Sequence, residues 1–361
     1  MRTNRVISML LCFAFCFSLL SIPASAVSHT GSSTASNAVI SDRAGKSGSY
    51  YYDVDLGTEL FVPSDATLED MWIESREICG DSIQPYLQSC DSSLAEIDPE
   101  LDKILESYLA TDHRFAVTNP SGYERSTCLL GARFDDAGVT HVESGEKCST
   151  GVHIGTGWLI NNTYLVTAGH LVYDWEHSNN GNDGYAKHVA IYVGASNGNY
   201  VHYSLSVGYS VGGDYRDCTS ESDYQSTGRF DDWAVIELKT PVPASKSISK
   251  LTPKQTDHYS EMLNKSYTTQ GYPADRNTGK DWKKYTMYKQ TNCTISGAHY
   301  PTPYILDVAV SSNTNFYGGQ SGSPIYKDGY AQGIGVGKYL GDTCFILINR
   351  WLYEFLRDNC S

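Results

Sequence analysis

The hydrophobic pattern changes character near residue 118. Beyond it, short runs rich in β-branched and aromatic residues alternate with Gly, Asn and Asp, and this predicts many short strands. The clearest runs are 153–160, 164–167, 188–193, 233–238, 305–310 and 344–348. Runs at this spacing favour a sandwich or barrel, and about 240 residues suffice for one large barrel or two small ones.

Helical patterns flank this β-rich part on both sides. On the N-terminal side, Asp98 and Pro99 are typical of a helix start. Apolar residues then recur at helical spacing at Leu101, Ile104, Leu105, Tyr108 and Leu109. The same spacing predicts a C-terminal helix through Trp351, Leu352, Phe355 and Leu356. Residues 27–49 are rich in Ser, Gly and Ala, which predicts a flexible arm.

The first 26 residues have the features of an export signal. Arg2 and Arg5 precede an apolar run from Val6 to Leu20, and Ala24 and Ala26 are small residues at the cleavage point. The run is too short for a typical membrane span, although a retained anchor is the alternative interpretation. We therefore expect a signal peptide at 1–26 and a secreted protein with no membrane association after its removal.

Export favours disulfides among the cysteines that remain after the signal is removed. Of ten cysteines, Cys12 and Cys16 are removed with the signal, which leaves an even number of eight. The chain has none of the tight CxxC or HxxxH spacings that are typical of a metal site. Connectivity cannot be read from one sequence, but the short separations suggest Cys79–Cys90 and Cys344–Cys360 as first candidates. We expect no metal and no cofactor.

The chain is acidic, and this excludes one class of partner. Its net charge is −14, which becomes −16 when Arg2 and Arg5 are removed with the signal. Nucleic acids and anionic membranes both require a basic surface, so neither is expected as a partner.

Candidate chemistry begins with the sequence TAGH, residues 167–170, at the end of a predicted strand. A strand end can deliver the His170 side chain to the rim of a barrel. The unperturbed pKa of histidine lies near neutrality, which suits it to accept and return a proton. With ten histidines in the chain, a structural or merely exposed His170 is the alternative.

A carboxylate at the head of the strand 233–238 is the second candidate. Asp232 there can be buried at one end of the sheet and accept an imidazole N–H, which fixes the histidine tautomer. An aspartate in a turn before a strand is very common, so this pattern alone is weak.

The third candidate is the sequence YGGQSGSP, residues 317–324. Glycines on both sides of Ser321 allow a tight turn and a close approach to a substrate carbonyl. The N–H groups of Gly319 and Ser321 can then converge on a developing oxyanion. A plain Gly/Ser turn is the alternative.

The order His, Asp, Ser along the chain decides between the known serine hydrolase arrangements. Subtilisin-type enzymes have the order Asp, His, Ser, and α/β-hydrolases have Ser, acid, His with a GxSxG elbow. Position 323 is Ser rather than Gly. The chymotrypsin order is the one that fits.

Together, these motifs resemble those of the bacterial glutamyl endopeptidases of the chymotrypsin fold. The similarity runs from about Cys148 to the C-terminus through TGWLI, TAGHLVYD, DWAVIEL, QGYPADR and YGGQSGSP. The resemblance implies an all-β fold of two six-stranded antiparallel barrels with a C-terminal helix, preceded by a small helical propeptide. It also implies His170 as general base, Asp232 as its partner, Ser321 as nucleophile, and Gly319 with Ser321 as the oxyanion hole.

Asp232 is preferred to Asp231 because the family's carboxylate immediately precedes an aromatic or apolar residue, here Trp233. The predicted regions are a signal at 1–26, a propeptide or N-terminal extension at 27–118 and a peptidase domain at 119–361. A maturation cut is expected between Leu109 and Arg125, with Arg114 and Arg125 as basic sites.

The specificity pocket departs from the family. Members selective for Glu have a His where this chain has Gly335, and Phe316 is bulkier than the Thr of some members. Val336 adds an apolar wall, and Lys338 is either a positive charge at the pocket or a solvated loop lysine. We expect a monomer that cleaves protein or peptide substrates with a P1 preference shifted from Glu toward uncharged or aromatic residues. An inactive binding protein of this fold and an esterase are the alternatives.

Overall fold

The short apolar runs of the sequence form strands that belong to two sheets. The computed structural model describes residues 48–54, 58–63, 112–134, 152–175, 183–299, 308–339 and 341–360, all within the unit Gly45–Ser361. The predicted signal and the predicted helix at 98–109 lie outside the described residues.

Six strands of the first sheet close into a barrel in the order β8-β7-β4-β5-β6-β9, because β9 also pairs with β8. The strands of this sheet are β1 (Gly48–Asp53), β2 (Thr58–Pro63), β4 (Thr127–Arg133), β5 (Val152–Leu159), β6 (Tyr164–Ala168), β7 (His188–Val193), β8 (His202–Gly212) and β9 (Trp233–Leu238). Strand β8 pairs with β7 through its first residues and with β9 beyond Ser206. This change of partner closes the barrel.

A hairpin of β1 and β2 extends the barrel in the region predicted to be a propeptide or N-terminal extension, where the predicted flexible arm ends. Strand β1 pairs with β8 in the register Tyr50↔Val211. Tyr50 and Tyr52 are buried, and the Tyr52 ring stacks on Tyr185 with centroids 4.2 Å apart. The alternation is too short to identify a strand from sequence alone, because pairing with β8 and burial of the rings supply its stability.

Within the described ranges, the second sheet has nine strands. Its strands are β3 (Phe115–Val117), β10 (Thr252–Pro253), β11 (Tyr267–Gly271), β12 (Met287–Cys293), β13 (Gly297–His299), β14 (Val308–Ser311), β15 (Pro324–Lys327), β16 (Tyr330–Tyr339) and β17 (Asp342–Leu347). Side chains from β11, β12, β14, β15 and β17 share one buried cluster, whose members include Tyr267, Ile325 and Phe345.

The helices are short and few among the described residues. They are α1 (Gly213–Arg216), α2 (Glu221–Ser226) and α3 (Arg350–Asn359). In α3, Asn349 caps the N-terminus by accepting a hydrogen bond from the Leu352 N–H at 2.9 Å, and Leu352 and Leu356 are buried. The predicted all-β class with a C-terminal helix is confirmed. No described helix has the length and hydropathy needed to cross a membrane.

The predicted Cys344–Cys360 disulfide is wrong, because these two residues are not joined. Cys344 packs with Phe230 and Val308, whereas Cys360 packs under α3 in the cluster that contains Trp158. Separation along the sequence does not reveal that the two residues belong to different clusters. The Cys79–Cys90 candidate lies outside the described residues.

Candidate active site

The ends of two neighbouring strands bring His170 and Asp232 together. Strands β6 and β9 are antiparallel with Ala168 opposite Trp233, so the chain leaves β6 where it enters β9. His170 lies on the short 3-10 helix Gly169–Leu171 that follows β6. Its Nδ1 lies 2.8 Å from Asp232 Oδ2, and its backbone N–H donates to Asp232 Oδ1 at 2.8 Å.

The environment of this pair is asymmetric. Asp232 is completely buried, while about a third of the His170 side chain (33 %) is exposed. Gly169 allows the close approach, because a Cβ there would lie 3.0 Å from Asp232 Oδ1. The carboxylate thus fixes the imidazole from the protein side.

Two glycines shape the loop around Ser321. Gly319 and Gly322 have φ values of +89° and +86°, a region that disfavours side chains. A Cβ on Gly322 would come within 1.9 Å of the Thr156 carbonyl oxygen and 2.3 Å of Thr167 Oγ1. The Ser321 loop therefore lies directly against β5 and β6 of the barrel.

Thr156 connects the Ser321 loop to the strand that leads to His170. Its backbone N–H donates to the Ser321 carbonyl at 2.8 Å, and its carbonyl accepts from Thr167 Oγ1 at 2.7 Å. From the second sheet, the Gly335 carbonyl accepts the Gly322 N–H at 2.7 Å. The loop is thus held by both sheets, next to the residues that precede His170.

The N–H groups of Gly319 and Ser321 are available to a ligand. The intervening Gln320 donates its N–H to the Tyr317 carbonyl at 3.0 Å, and the Gly318 carbonyl accepts from Ala274 at 2.8 Å. Within the part of the chain that the structure describes, no acceptor binds the N–H of Gly319 or Ser321. Two such donors on one turn can bind an anionic oxygen.

Asp231, the neighbouring carboxylate, points to different partners. It accepts hydrogen bonds from the Trp233 indole N–H and from the Asp214 backbone N–H, the latter at 2.8 Å. Burial, followed by the charge of Asp214, raises the pKa of Asp231 to about 8. Burial also raises the pKa of Asp214. The His170 imidazole thus contacts Asp232, whereas Asp231 binds Trp233 and Asp214.

The pocket candidates Phe316 and Gly335 lie in contact. A Cβ on Gly335 would come within 2.6 Å of Phe316 Cε2, so the ring occupies the space that a side chain at 335 would need. Phe316 is buried and packs edge-to-face on Phe345, with centroids 6.5 Å apart. Val336 is half-buried and packs against Phe230 and its neighbours.

Lys338 is exposed at the end of this wall. Its Nζ lies 4.4 Å from the centroid of the Tyr317 ring, a cation–π geometry. Burial, and next the charge of Arg114, lower the pKa of Lys338, while Asp275 acts in the opposite direction. Lys338 is therefore neither fully solvated nor enclosed in the pocket.

Sequence reasoning missed three polar residues that support the Ser321 loop: Thr156, Arg114 and Gln320. Thr156 Oγ1 donates to the Gly319 carbonyl at 2.8 Å, and Arg114 donates to the Gln320 side chain at 3.0 Å. Thr156 belongs to the motif TGWLI and Gln320 to the motif YGGQSGSP. The motifs themselves do not indicate which residues these two side chains bind. Across the described residues, no three His, Cys, Asp or Glu side chains are grouped as a metal site.

The family model described as Trypsin matches residues 139–344. A glutamyl endopeptidase of Bacillus licheniformis is 23% identical over 224 residues, which cover 62% of this chain and 55% of that protein. An extracellular metalloprotease of Bacillus subtilis is 25% identical over 246 residues, which cover 63% of this chain and 62% of that protein. The chain thus spans between a half and two thirds of the length of these curated relatives.

Among solved structures, a Glu endopeptidase in complex with MPD superposes with a TM-score of 0.50 at 17% identity. The match covers 68% of this chain and 96% of that one. This likeness confirms the fold prediction of a chymotrypsin-like, two-barrel protein. Because the family model covers more than half of the sequence, the chain belongs to the trypsin family.

Proposed function

We propose that the chain is a secreted serine endopeptidase that uses Ser321, His170 and Asp232. The observation that carries this proposal is the His170–Asp232 pair, held at 2.8 Å beside the glycine-rich loop of Ser321. A buried carboxylate, a partly exposed imidazole and a serine loop whose Gly319 and Ser321 N–H groups have no acceptor among the described residues together provide the parts that acyl transfer needs.

In the acylation step, Ser321 Oγ bonds to the carbonyl carbon of the peptide while its proton passes to His170 Nε2. The Nδ1–H remains hydrogen-bonded to Asp232, whose charge stabilises the imidazolium. The N–H groups of Gly319 and Ser321 donate to the oxyanion. The C–N bond then breaks as His170 gives its proton to the departing amine, and an ester to Ser321 remains.

Deacylation repeats these steps with water as the nucleophile. His170 accepts a proton from the water as its oxygen bonds to the ester carbon. The bond between that carbon and Ser321 Oγ then breaks, and Oγ regains the proton from His170. The products are two shorter peptides and the unchanged enzyme.

For specificity, we infer that uncharged or aromatic P1 residues are preferred to Glu. Phe316 fills the space beside Gly335, so this wall offers an aromatic ring in place of a hydrogen-bond donor. A carboxylate buried there without a partner costs several kcal/mol. Lys338 is the competing candidate, because its ammonium lies on the ring of Tyr317.

Matched peptides with Glu, Leu, Phe and Lys at P1 separate these cases. We expect the largest kcat/KM for Leu or Phe, and little change on Lys338→Ala. A preference for Glu of about a hundredfold, about 2.7 kcal/mol, that Lys338→Ala abolishes would show that Lys338 sets the specificity instead.

For maturation, we propose that the signal at 1–26 is removed and that the extension is cut before Asp112. Phe115–Val117 pairs with β12, and the Arg114 side chain is only 1 % exposed, so this arginine is a poor target for a processing protease. N-terminal sequencing of the secreted form tests the site. A mature N-terminus at Phe115 or Ser126, directly after Arg114 or Arg125, would contradict it.

Cleavage of a peptide library by the purified secreted protein, followed by mass spectrometry, tests the proposed activity. We expect internal cleavage that a sulfonyl fluoride abolishes and a chelator does not. Hydrolysis of esters without peptide cleavage would identify an esterase. Absence of both activities would favour the binding-protein alternative.

A further inference from the structure

A buried arginine lies next to the residue that precedes Ser321. Arg114 immediately precedes β3, and its side chain is only 1 % exposed. Its Nε donates to Asp112 at 3.0 Å, and its NH2 group donates to Asp112 at 2.8 Å. On the other side, Asp275 accepts from NH1 at 3.0 Å and from NH2 at 2.6 Å.

The fifth N–H donor of the same guanidinium binds a residue of the Ser321 loop. Arg114 NH1 donates to Gln320 Oε1 at 3.0 Å, and this oxygen also accepts the Tyr317 N–H at 3.0 Å. The guanidinium also lies 4.7 Å from the Tyr317 ring centroid. All five N–H donors of arginine are thus engaged, and one of them fixes the turn before Ser321.

Arg114 is the buried member of a charge-balanced cluster whose other members, Asp112, Asp275 and Arg276, are partly exposed. Burial disfavours the Asp112 carboxylate, but hydrogen bonds from Arg114 and Arg276 outweigh it and hold the pKa of Asp112 well below its usual range. Without Arg114, the Asp112 and Asp275 carboxylates would face the Gln320 carbonyl oxygen with no buried cation between them. The orientation of the Gln320 side chain therefore depends on Arg114.

Gln320 transmits this orientation to the reacting groups. Its backbone N–H donates to the Tyr317 carbonyl at 3.0 Å, and its carbonyl accepts the Ser323 N–H at 2.8 Å. The same peptide unit that carries the Gln320 carbonyl carries the Ser321 N–H. A rotation of Gln320 thus moves an oxyanion donor and the attachment of the nucleophile together.

We propose that Arg114 is a positioning residue that acts through Gln320 to hold Ser321 and its N–H in the geometry for catalysis. This inference rests on the proposed endopeptidase activity. It also gives residues 112–117 a role in the active enzyme, consistent with a maturation cut before Asp112.

A double-mutant cycle on the secreted enzyme tests the proposal with Arg114→Met, Gln320→Leu and the double variant. Titration with a 4-nitrophenyl ester burst gives the fraction of active sites, and kcat is then expressed per titrated site. We expect each single variant to lose about tenfold to hundredfold in kcat per site, as small misplacements of catalytic groups do, with KM changed less than threefold. The double variant should be no slower than the slower single variant.

Matched variants separate positioning from simple destabilisation. Lys289→Met removes another ion-paired cation, which binds Glu124 and lies after the proposed cut, and should lower Tm without changing kcat per site. Gln320→Glu keeps an acceptor opposite the guanidinium and should retain most of kcat, whereas Arg114→Lys, with three donors instead of five, should not.

The outcomes distinguish the two proposals. If the wild type cleaves peptides but Gln320→Leu keeps its full kcat per site, or if the losses of the two single variants multiply in the double variant, the positioning role is wrong and the endopeptidase proposal stands. If the wild type neither cleaves peptides nor shows a burst, both fail. A fall in the titrated fraction alone, with normal kcat per site, would show that Arg114 is merely structural.

Discussion

The His170–Asp232 pair and the Ser321 loop both lie at the end of β6 but are held in different ways. The pair is fixed by strand register, because β6 ends where β9 begins. The loop is irregular and depends on two glycines with positive φ and on polar side chains that come from Thr156 and Arg114. Regular backbone thus positions His170, whereas contacts between distant segments position Ser321.

This difference predicts which positions tolerate mutation and which do not. Ladder hydrogen bonds along a strand are many and individually replaceable. The side-chain contacts of the Ser321 loop, in contrast, each depend on a single residue such as Thr156 or Arg114, and a buried partner left behind loses its hydrogen bond. We therefore expect the loop to be more sensitive to conservative changes than the strand ends, outside the catalytic side chains themselves.

The largest expected loss of kcat follows from removing either of the side chains proposed to exchange a proton, Ser321 and His170. Ser321→Ala and His170→Ala should each lower kcat by about 10⁶, because the triad acts as a unit. The double variant should be no worse than either single one. Steady-state assays on material purified away from any host protease measure this, and full activity in either variant would exclude the proposed roles.

The next largest loss of kcat is expected from changing the carboxylate of Asp232 alone. Asp232→Asn should lower kcat by about 10⁴, because the amide favours the wrong imidazole tautomer. Asp231→Asn is the matched control on the adjacent residue, which binds Trp233 and Asp214 rather than His170. We expect it to lose less than about tenfold. The reverse ranking would assign the catalytic carboxylate to Asp231.

A smaller effect tests the glycine at the contact between loop and barrel. Gly322→Ala forces a Cβ against Thr156 and Thr167 at a φ of +86°, with a cost of about 1–3 kcal/mol in strain. We expect a lower Tm and a fall in kcat of about tenfold or more. Gly318→Ala is the control, because its Cβ would meet no atom within 4 Å. Equal behaviour of the two variants would contradict the tight packing of this loop.

The smallest effect concerns pH and the buried Asp231. Its pKa is raised to about 8 from an ordinary 3.8, so the folded state holds a proton that the unfolded state releases. Its contribution to stability is therefore complete below about pH 4 and is lost as the pH rises to about 8. Asp214 and Asp232 are the carboxylates that face it.

Chemical denaturation at several pH values measures this contribution. Asp231→Asn should lower the unfolding free energy most at pH 5 and least at pH 8, which flattens its pH dependence relative to the wild type. Asp358→Asn, on the exposed surface, should leave the dependence unchanged. A wild type whose stability does not fall between pH 5 and pH 8 relative to Asp231→Asn would show that Asp231 is ionised in the folded protein.

The regular strands and the C-terminal helix could be predicted from the sequence. The predicted runs 188–193 and 233–238 have the same bounds as β7 and β9, because alternation and β-branched residues mark both strands clearly. The C-terminal helix was likewise visible from its apolar face. These features depend on residues that are close together in the chain.

The features that the sequence did not reveal depend on distant partners. Strand β1 owes its form to pairing with β8, some 160 residues later. Arg114 looked like a processing site, although its side chain is buried between Asp112 and Asp275. A basic residue alone gives no sign that two carboxylates and a glutamine surround it, since none of these partners is specified by local pattern.

Covalent labelling of the nucleophile tests the central claim most directly. The purified protein is treated with phenylmethylsulfonyl fluoride, and the adduct is located by intact mass and peptide mapping. We predict one sulfonyl group, on Ser321, formed with loss of peptidase activity and greatly slowed in His170→Ala. An adduct on another residue, or full peptidase activity after complete modification of Ser321, would contradict the account.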